Sequence, residues 1–228
     1  MSVGNPPFEA HWLGRIPYTE AYAKQRALHA RRVDNSIPDQ LLLLEHPPVL
    51  TVPRRSDQKN LLVSQKDLAE RGIEIIPTDR GGEITLHNPG QLVGYLICDL
   101  SSRGKDLHAF LRWIESCLET IASTFGVVTE KKEGLTGLWV EDRKLASIGI
   151  AVKRWVSLHG FALNASNDLS QFELIHPCGL EEIEMTSLAK ETGKNIEWEI
   201  LLNGTRNAFG AEEGIFREKI ATPSGSRS

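Results

Sequence analysis

Hydrophobic residues along this chain recur with two periods, and the change from one to the other marks the elements. Residues 8–13 (FEAHWL) read as a short strand. In YTEAYAKQRALHARRV, Tyr18, Ala21, Tyr22, Gln25, Leu28 and Arg32 fall at helical spacing, which predicts an amphipathic helix with Thr19 as its N-cap. QLLLLEH (40–46) is nearly all apolar and stops at Pro47-Pro48, the pattern of a strand covered on both faces. Ser64 and Asp67 open a short helix that ends near Gly72, before a strand over 74–76. EITLH and QLVGYLICDL flank the turn-forming Asn88-Pro89-Gly90 and read as a hairpin. After the capping residue Asp106, an apolar face runs through Phe110, Ile114, Cys117, Leu118 and Ile121 to Gly126. Residues 127–165 alternate as a meander with a turn at Asp142-Arg143, and residues 195–210 carry a looser helical pattern interrupted by Gly204.

Helices interspersed among strands that are mostly joined by hairpins predict an α/β (α+β) fold, a mixed and antiparallel-rich sheet flanked by helices. No Pro-rich or Ser-rich linker divides the chain, so residues 1–220 read as a single domain and 221–228 as a disordered tail. Composition adds exclusions. With 228 residues, 40% of them apolar, the chain can bury a core. A formal charge of −4 lacks the basic excess of a non-specific nucleic-acid binder. No apolar run approaches the roughly 20 residues that cross a bilayer, and the N-terminus has no signal-peptide pattern, so a cytoplasmic protein without membrane contact is expected.

Three segments carry chemistry that packing does not demand. In Arg80-Gly81-Gly82-Glu83-Ile84-Thr85-Leu86-His87, paired glycines let backbone N–H groups approach an anion or oxyanion, against the plainer reading of a glycine turn with a solvated arginine. The segment is neither a P-loop nor a Rossmann fingerprint. In Lys144-Leu145-Ala146-Ser147-Ile148-Gly149, regular alternation points Lys144 and Ser147 to opposite faces, and a lone strand-end lysine is by default solvated. In His176-Pro177-Cys178-Gly179 the proline and glycine place Cys178 in a turn, whereas Cys98 and Cys117 sit on apolar faces as buried hydrophobes. Three cysteines without CxxC spacing suggest no disulfide framework, and His159, His176 and Cys178 lack the spacing of a zinc site, so no metal is expected.

Taken together, LLLLEHPPVLT (41–51), RGGEITLHNPGQLVGY (80–95), KLASIG (144–149), HGFALN (159–164), PCG (177–179) and TSL (186–188) resemble the lipoyl/octanoyl transferase family. The resemblance implies a fold like the biotin/lipoate protein ligase catalytic domain. It implies transfer of octanoyl from the phosphopantetheine thioester of acyl carrier protein to a lysine of a lipoyl domain, in 2-oxoacid dehydrogenase complexes or the glycine cleavage H protein. It makes Cys178 the acyl-accepting nucleophile and Lys144 its partner, with no cofactor beyond the 4'-phosphopantetheine that arrives with the carrier. The substrate pocket it implies comprises Arg80, Gly81, Gly82, Glu83, Ile84, Thr85, Leu86 and His87, then Ser147, Ile148 and Gly149, and Gly160, Phe161 and Ala162. Two positions depart from the family pattern. Asn88 stands where a glycine is usual, and Asn tolerates left-handed backbone; Pro53 stands where a glycine precedes the arginine, and proline cannot adopt positive φ. The basic pairs Arg31-Arg32, Arg54-Arg55, Lys131-Lys132 and Lys153-Arg154 offer an acidic carrier something to meet, although solvated surface charge explains each pair alone. The alternatives are an ATP-dependent lipoate or biotin ligase that does not need Cys178, and a non-catalytic acyl-carrier-protein binding module.

Overall fold

A central mixed sheet is covered on both faces because its middle strands are apolar on both faces. The computed structural model describes residues 8–54, 56–177 and 183–213. The tail read as disordered lies outside them, as does Cys178. The chain runs β1 (Phe8–Arg15), α1 (Tyr18–Val33), β2 (Gln40–Glu45), β3 (Val49–Pro53), α2 (Gln65–Glu70), β4 (Glu74–Thr78), β5 (Thr85–His87) and β6 (Gln91–Ile97). It continues with α3 (Leu107–Thr124), β7 (Leu138–Val140), β8 (Arg143–Lys153), β9 (Val156–Asn164), β10 (Glu184–Met185), α4 (Leu188–Thr192), α5 (Trp198–Phe209) and β11 (Ala211–Glu213).

The large sheet has the order β10-β8-β9-β6-β2-β1-β11, with β7 paired to β8. Its pairings are antiparallel except β1 with β2, β1 with β11 and β8 with β10. All six residues of β2 and all seven of β6 are buried. On one face Leu41, Leu43 and Leu92 join a core with α3 and α5; on the other, Leu42, Leu44 and Val93 pack with Tyr18, Ala21 and Leu28 of α1. A second sheet, β4-β3-β5, carries a third core with Leu68 of α2.

Several sequence expectations are met at residue level. Ser64 and Asp67 form a reciprocal capping box, and the Asp106 carboxylate accepts from the Ala109 N–H at the start of α3. Others are corrected. Thr19 is not the cap of α1: the Pro17 carbonyl already accepts from the Ala21 N–H, so Thr19 lies inside the first turn. The meander turn is reached one residue early, with Glu141 at φ 52. Sequence patterning also passes over β3, α4 and β11, which are short and gain stability from their neighbours.

The expected hairpin between 83–87 and 91–100 does not form. β5 pairs with β3 in the small sheet, whereas β6 pairs with β2 and β9 in the large one. The turn between them is held by distant partners: the Glu45 carboxylate accepts from the Gly90 N–H at 2.6 Å, and the Gly90 carbonyl accepts from the Ser166 N–H. Gly90 has φ +90, and a Cβ there would stand 2.7 Å from the Asn167 backbone nitrogen. It is Gly90, not Asn88, that takes the left-handed conformation. Buried Asn88 uses its side chain, donating to the Asp168 carbonyl and to Gln171. Pro53 is accommodated as the last residue of β3, opposite Thr78 in extended backbone.

Two small changes test this packing in opposite directions. Gly204→Ala, inside α5 with only Thr124 at ordinary contact distance, should raise unfolding free energy by about 0.5–1 kcal/mol. Gly94→Ala drives a methyl into the Phe161 ring and should cost about 1–3 kcal/mol. Urea denaturation midpoints measure both.

Candidate functional site

Between the two sheets lies a cavity of about 310 Å³, within the range of small-molecule sites. One wall is the β8–β9 ladder, where Ser147 opposes Ala162 and Gly149 opposes Gly160. The facing wall comes from the small sheet and the loop before β5. A Cβ at Gly149 would stand 2.8 Å from the Gly81 carbonyl oxygen, so this glycine lets the two walls approach. Lys144 and the loop Gly134–Thr136 border the cavity on one side, and Tyr18, Tyr95 and His159 contribute elsewhere.

Lys144 is not the solvated strand-end lysine that its position suggests: it is 3% exposed. Nor does it point away from Ser147. Leu138 of β7 opposes Ala146, but the next residue, Trp139, opposes Lys144, so Leu145 is an extra residue on β8. The bulge sends both Leu145 and Ala146 into the core and turns Lys144 and Ser147 to the same cavity. The Lys144 Nζ donates to the Thr136 carbonyl at 3.0 Å and lies 5.1 Å from the Trp139 ring centroid. Gly137, at φ 131, makes room for the lysine stem, since a Cβ there would stand 2.7 Å from Lys144 Cε. Its N–H donates at 3.0 Å to the buried Glu115 carboxylate, fastening the loop that holds Nζ to α3.

Of the segment Arg80 to His87, Arg80, Gly82, Glu83, Ile84, Thr85 and His87 line the cavity. Leu86 does not; alternation along β5 turns it into the third core. Gly81 does not either, and its N–H is spent on the Ile150 carbonyl at 2.9 Å, which removes it as an oxyanion donor. Arg80 is no solvated turn arginine: its guanidinium donates to the Thr51 carbonyl and hydroxyl, tying the loop to β3. Ser147, Ile148, Gly149, Gly160, Phe161 and Ala162 all line the cavity.

Sequence reading named His87 among the pocket residues but missed Tyr18 and Tyr95 of the cavity wall and His46 packed behind them. The Ile16 carbonyl can only accept, so His46 Nδ1 donates to it at 2.7 Å and Nε2 of the neutral ring accepts from the Tyr95 hydroxyl at 2.8 Å. Burial pushes His46 down to about 4. Burial also holds His87 well below the usual imidazole value, with the neighbouring His46 acting in the same direction. His159, at φ 61, donates from Nε2 to Asp79 and stacks on Tyr22. Burial alone would raise the Asp79 carboxyl, but hydrogen bonds from Lys153, His159 and Tyr22 outweigh it and hold the group ionised. No local signal joins these residues, because they come from α1, β5, β6, β9 and the turns that follow β2 and β4, and meet only in the fold.

Cys98 and Cys117 are buried in the core, as expected. Burial, and then the Asp39 carboxylate, push the Cys98 thiol up, and burial pushes Cys117 up to about 12. Of the basic pairs, Arg32, Lys131, Lys132 and Lys153 are committed within the chain. Arg32 is buried against Asp39, Lys131 meets Glu119, Lys132 meets Asp142, and Lys153 meets Asp79. No helix among the described residues is long and apolar enough to cross a membrane.

The profile of the lipoyl protein ligase A/B catalytic domain matches residues 17–209, the span that builds both sheets and the cavity. The octanoyltransferase of Geobacter metallireducens is 44% identical over 184 residues, 81% of this chain and 83% of the relative. That of Syntrophotalea carbinolica is 48% identical over 184 residues, 81% of this chain and 84% of the relative. The chain belongs to the octanoyltransferases of the lipoyl protein ligase A/B family. The architecture of the family is seen in the bipartite lipoate protein ligase of Thermoplasma acidophilum. That structure superposes with a TM-score of 0.72 at 14% identity, covering 92% of this chain and 88% of that one. The expected mixed, antiparallel-rich ligase-like fold is therefore observed.

Because buried His46 resists protonation, the unfolded chain takes up a proton between pH 6.5 and 4 that the folded state does not. Stability is therefore fully present above pH 6.5 and falls below it, by about 1.4 kcal/mol per pH unit from this group, with His87 acting in the same direction. Urea unfolding at pH 7.5, 6 and 5 should show the decline. His46→Gln should remove about one proton from its slope.

Proposed function

We propose that this octanoyltransferase carries the octanoyl group on Cys178 between acyl carrier protein and a lipoyl-domain lysine, with Lys144 as the proton partner. The observation that carries the reading is the buried Lys144 amino group at the cavity wall, where a carbonyl and an indole face hold it in the cavity that Ser147 also lines. Two anchors next to Cys178 in sequence support it. The His176 N–H donates to the Asn60 carbonyl, and the Asn60 side chain donates to Glu83 of the cavity wall. Past residue 182, Met185 of β10 lies opposite Lys144 in a parallel pair. The two other thiols are buried and held protonated.

An ordinary thiol, with a pKa of about 8.5, is only a few per cent thiolate at pH 7, and a neighbouring ammonium favours the anion. In the first half-reaction the Cys178 sulfur bonds to the thioester carbonyl carbon, the bond to the phosphopantetheine sulfur breaks, and that sulfur takes the Lys144 proton. In the second, the neutral acceptor amine attacks the acyl-cysteine. The Cys178 sulfur leaves as thiolate, and the Lys144 amine takes the proton released by the new amide nitrogen. Exchange between thioesters is nearly balanced and amide formation is downhill, so no nucleotide is required. The lipoyl domains of 2-oxoacid dehydrogenase complexes and the glycine cleavage H protein are the acceptors this chemistry serves.

Octanoyl carrier protein without ATP should give a hydroxylamine-labile octanoyl adduct that is lost in Cys178→Ala. Transfer that requires ATP and survives Cys178→Ala would instead establish a ligase. A binding module predicts iodoacetamide alkylating Cys178 no faster than a free thiol. Lys144→Ala should slow acylation by about 10²–10⁴-fold. It should also raise the midpoint of the alkylation–pH curve by about one to three units; an unchanged midpoint counts against the pairing.

A further inference from the structure

Two sequence motifs have no part in the chemistry above: the asparagine that ends HGFALN and the TSL that follows β10. The fold brings them together. Asn164, 1% exposed at the end of β9, donates from Nδ2 to the Thr186 carbonyl at 2.9 Å. Its Oδ1 accepts from Gln91 Nε2 at 2.9 Å and from Asn167 Nδ2 at 3.2 Å, so the amide orientation is fixed by its neighbours. Gln91 is oriented in turn, because its Oε1 accepts from His87 Nδ1 at 2.7 Å. On the other side of Thr186, its N–H donates to the Lys144 carbonyl at 2.9 Å. One residue, four positions past 182, is thus gripped from both sides, by the Lys144 backbone and by a carboxamide anchored to the cavity wall. The β10 pairing that this grip completes is only two residues long. So short a strand cannot hold its register unaided.

We propose that Asn164 is a positioning residue: by clamping Thr186 it holds β10 against β8 at Lys144, and so fixes the lysine that partners the nucleophile. The proposal rests on Cys178 being the acyl-accepting nucleophile. Asn164 acts through the backbone of Thr186. Asn164→Asp is the sharpest test, since the carboxylate still accepts from Gln91 and Asn167 but turns the donor to Thr186 into an oxygen facing its carbonyl, so the clamp becomes a repulsion.

Hydrogen exchange of the Thr186 amide reads the clamp without reference to catalysis, and it should accelerate about tenfold or more in Asn164→Asp. The alkylation–pH curve of Cys178 reads the consequence, and its midpoint should rise by about one unit, a tenfold loss of thiolate at neutral pH. Ile121→Ala, in the core face of α3, is the stability control and should leave that midpoint where it is. Unchanged Thr186 exchange in Asn164→Asp would overturn the clamp. Faster exchange with an unmoved midpoint, or a midpoint that shifts equally in Ile121→Ala, would overturn positioning of Lys144. A wild-type protein that forms no hydroxylamine-labile adduct on Cys178 would overturn the catalytic reading itself, while the exchange result still reports on the clamp.

Discussion

The bulge at Leu145 is the constraint from which the site follows. One extra residue in β8 lets two successive apolar side chains enter the core and turns an ammonium, otherwise bound for the same core, into the cavity. Burying a charge is costly unless it is hydrogen-bonded. The surroundings meet that cost locally: Thr136 supplies a carbonyl, Trp139 an aromatic face, and Gly137 the space for the lysine stem. Glu115 holds the Gly134–Thr136 loop in place from α3, so the helix that builds the main core also fixes the lysine.

Around this point the cavity is shaped by what is missing as much as by what is present. Gly149 lacks the Cβ that would press on Gly81, and Gly160 lacks the one that would strike the Gly94 carbonyl across the ladder. Burial disfavours the protonated form of His87 at the wall and of His46 behind it, so hydrogen bonds rather than net charges hold that side. Asp79 is the contrasting group, ionised because three donors converge on it. A cavity with Ile84, Ile148, Phe161 and Ala162 on its walls, small residues along one ladder and Lys144 at its edge suits a flexible acyl chain.

The site is a junction between two sheets, and the turn at Asn88–Gly90 makes the junction. A hairpin there would have kept β5 and β6 in one sheet and left no gap for a ligand. Instead Glu45, Ser166 and Asp168 draw the turn away from hairpin geometry, and the chain passes from one sheet to the other. The side-chain network that reaches Thr186 runs through this same region, linking the turn, the cavity wall and the exit of the segment that carries Cys178.

What the residues determined by themselves were properties of short range. The apolar run of β2, the 3.6-residue face of α3, the Ser64–Asp67 box and the glycine-rich segment before β5 each fold much as their patterns dictate, because propensity, capping and burial act within a few residues. The motifs also placed Arg80, Gly82, Ser147 and Gly160 within one resemblance, and these residues do line one cavity. Tertiary structure alone decided which face of β8 presents Lys144, which sheet each strand joins, and how Tyr18, Tyr95 and His159, from three elements, reach one cavity. A bulge depends on the register of the partner strand, and a turn's hydrogen bonds depend on residues up to 83 positions away, as in Asn88 with Gln171. Local pattern carries no record of either, since both are set by contacts formed only when the sheets pack.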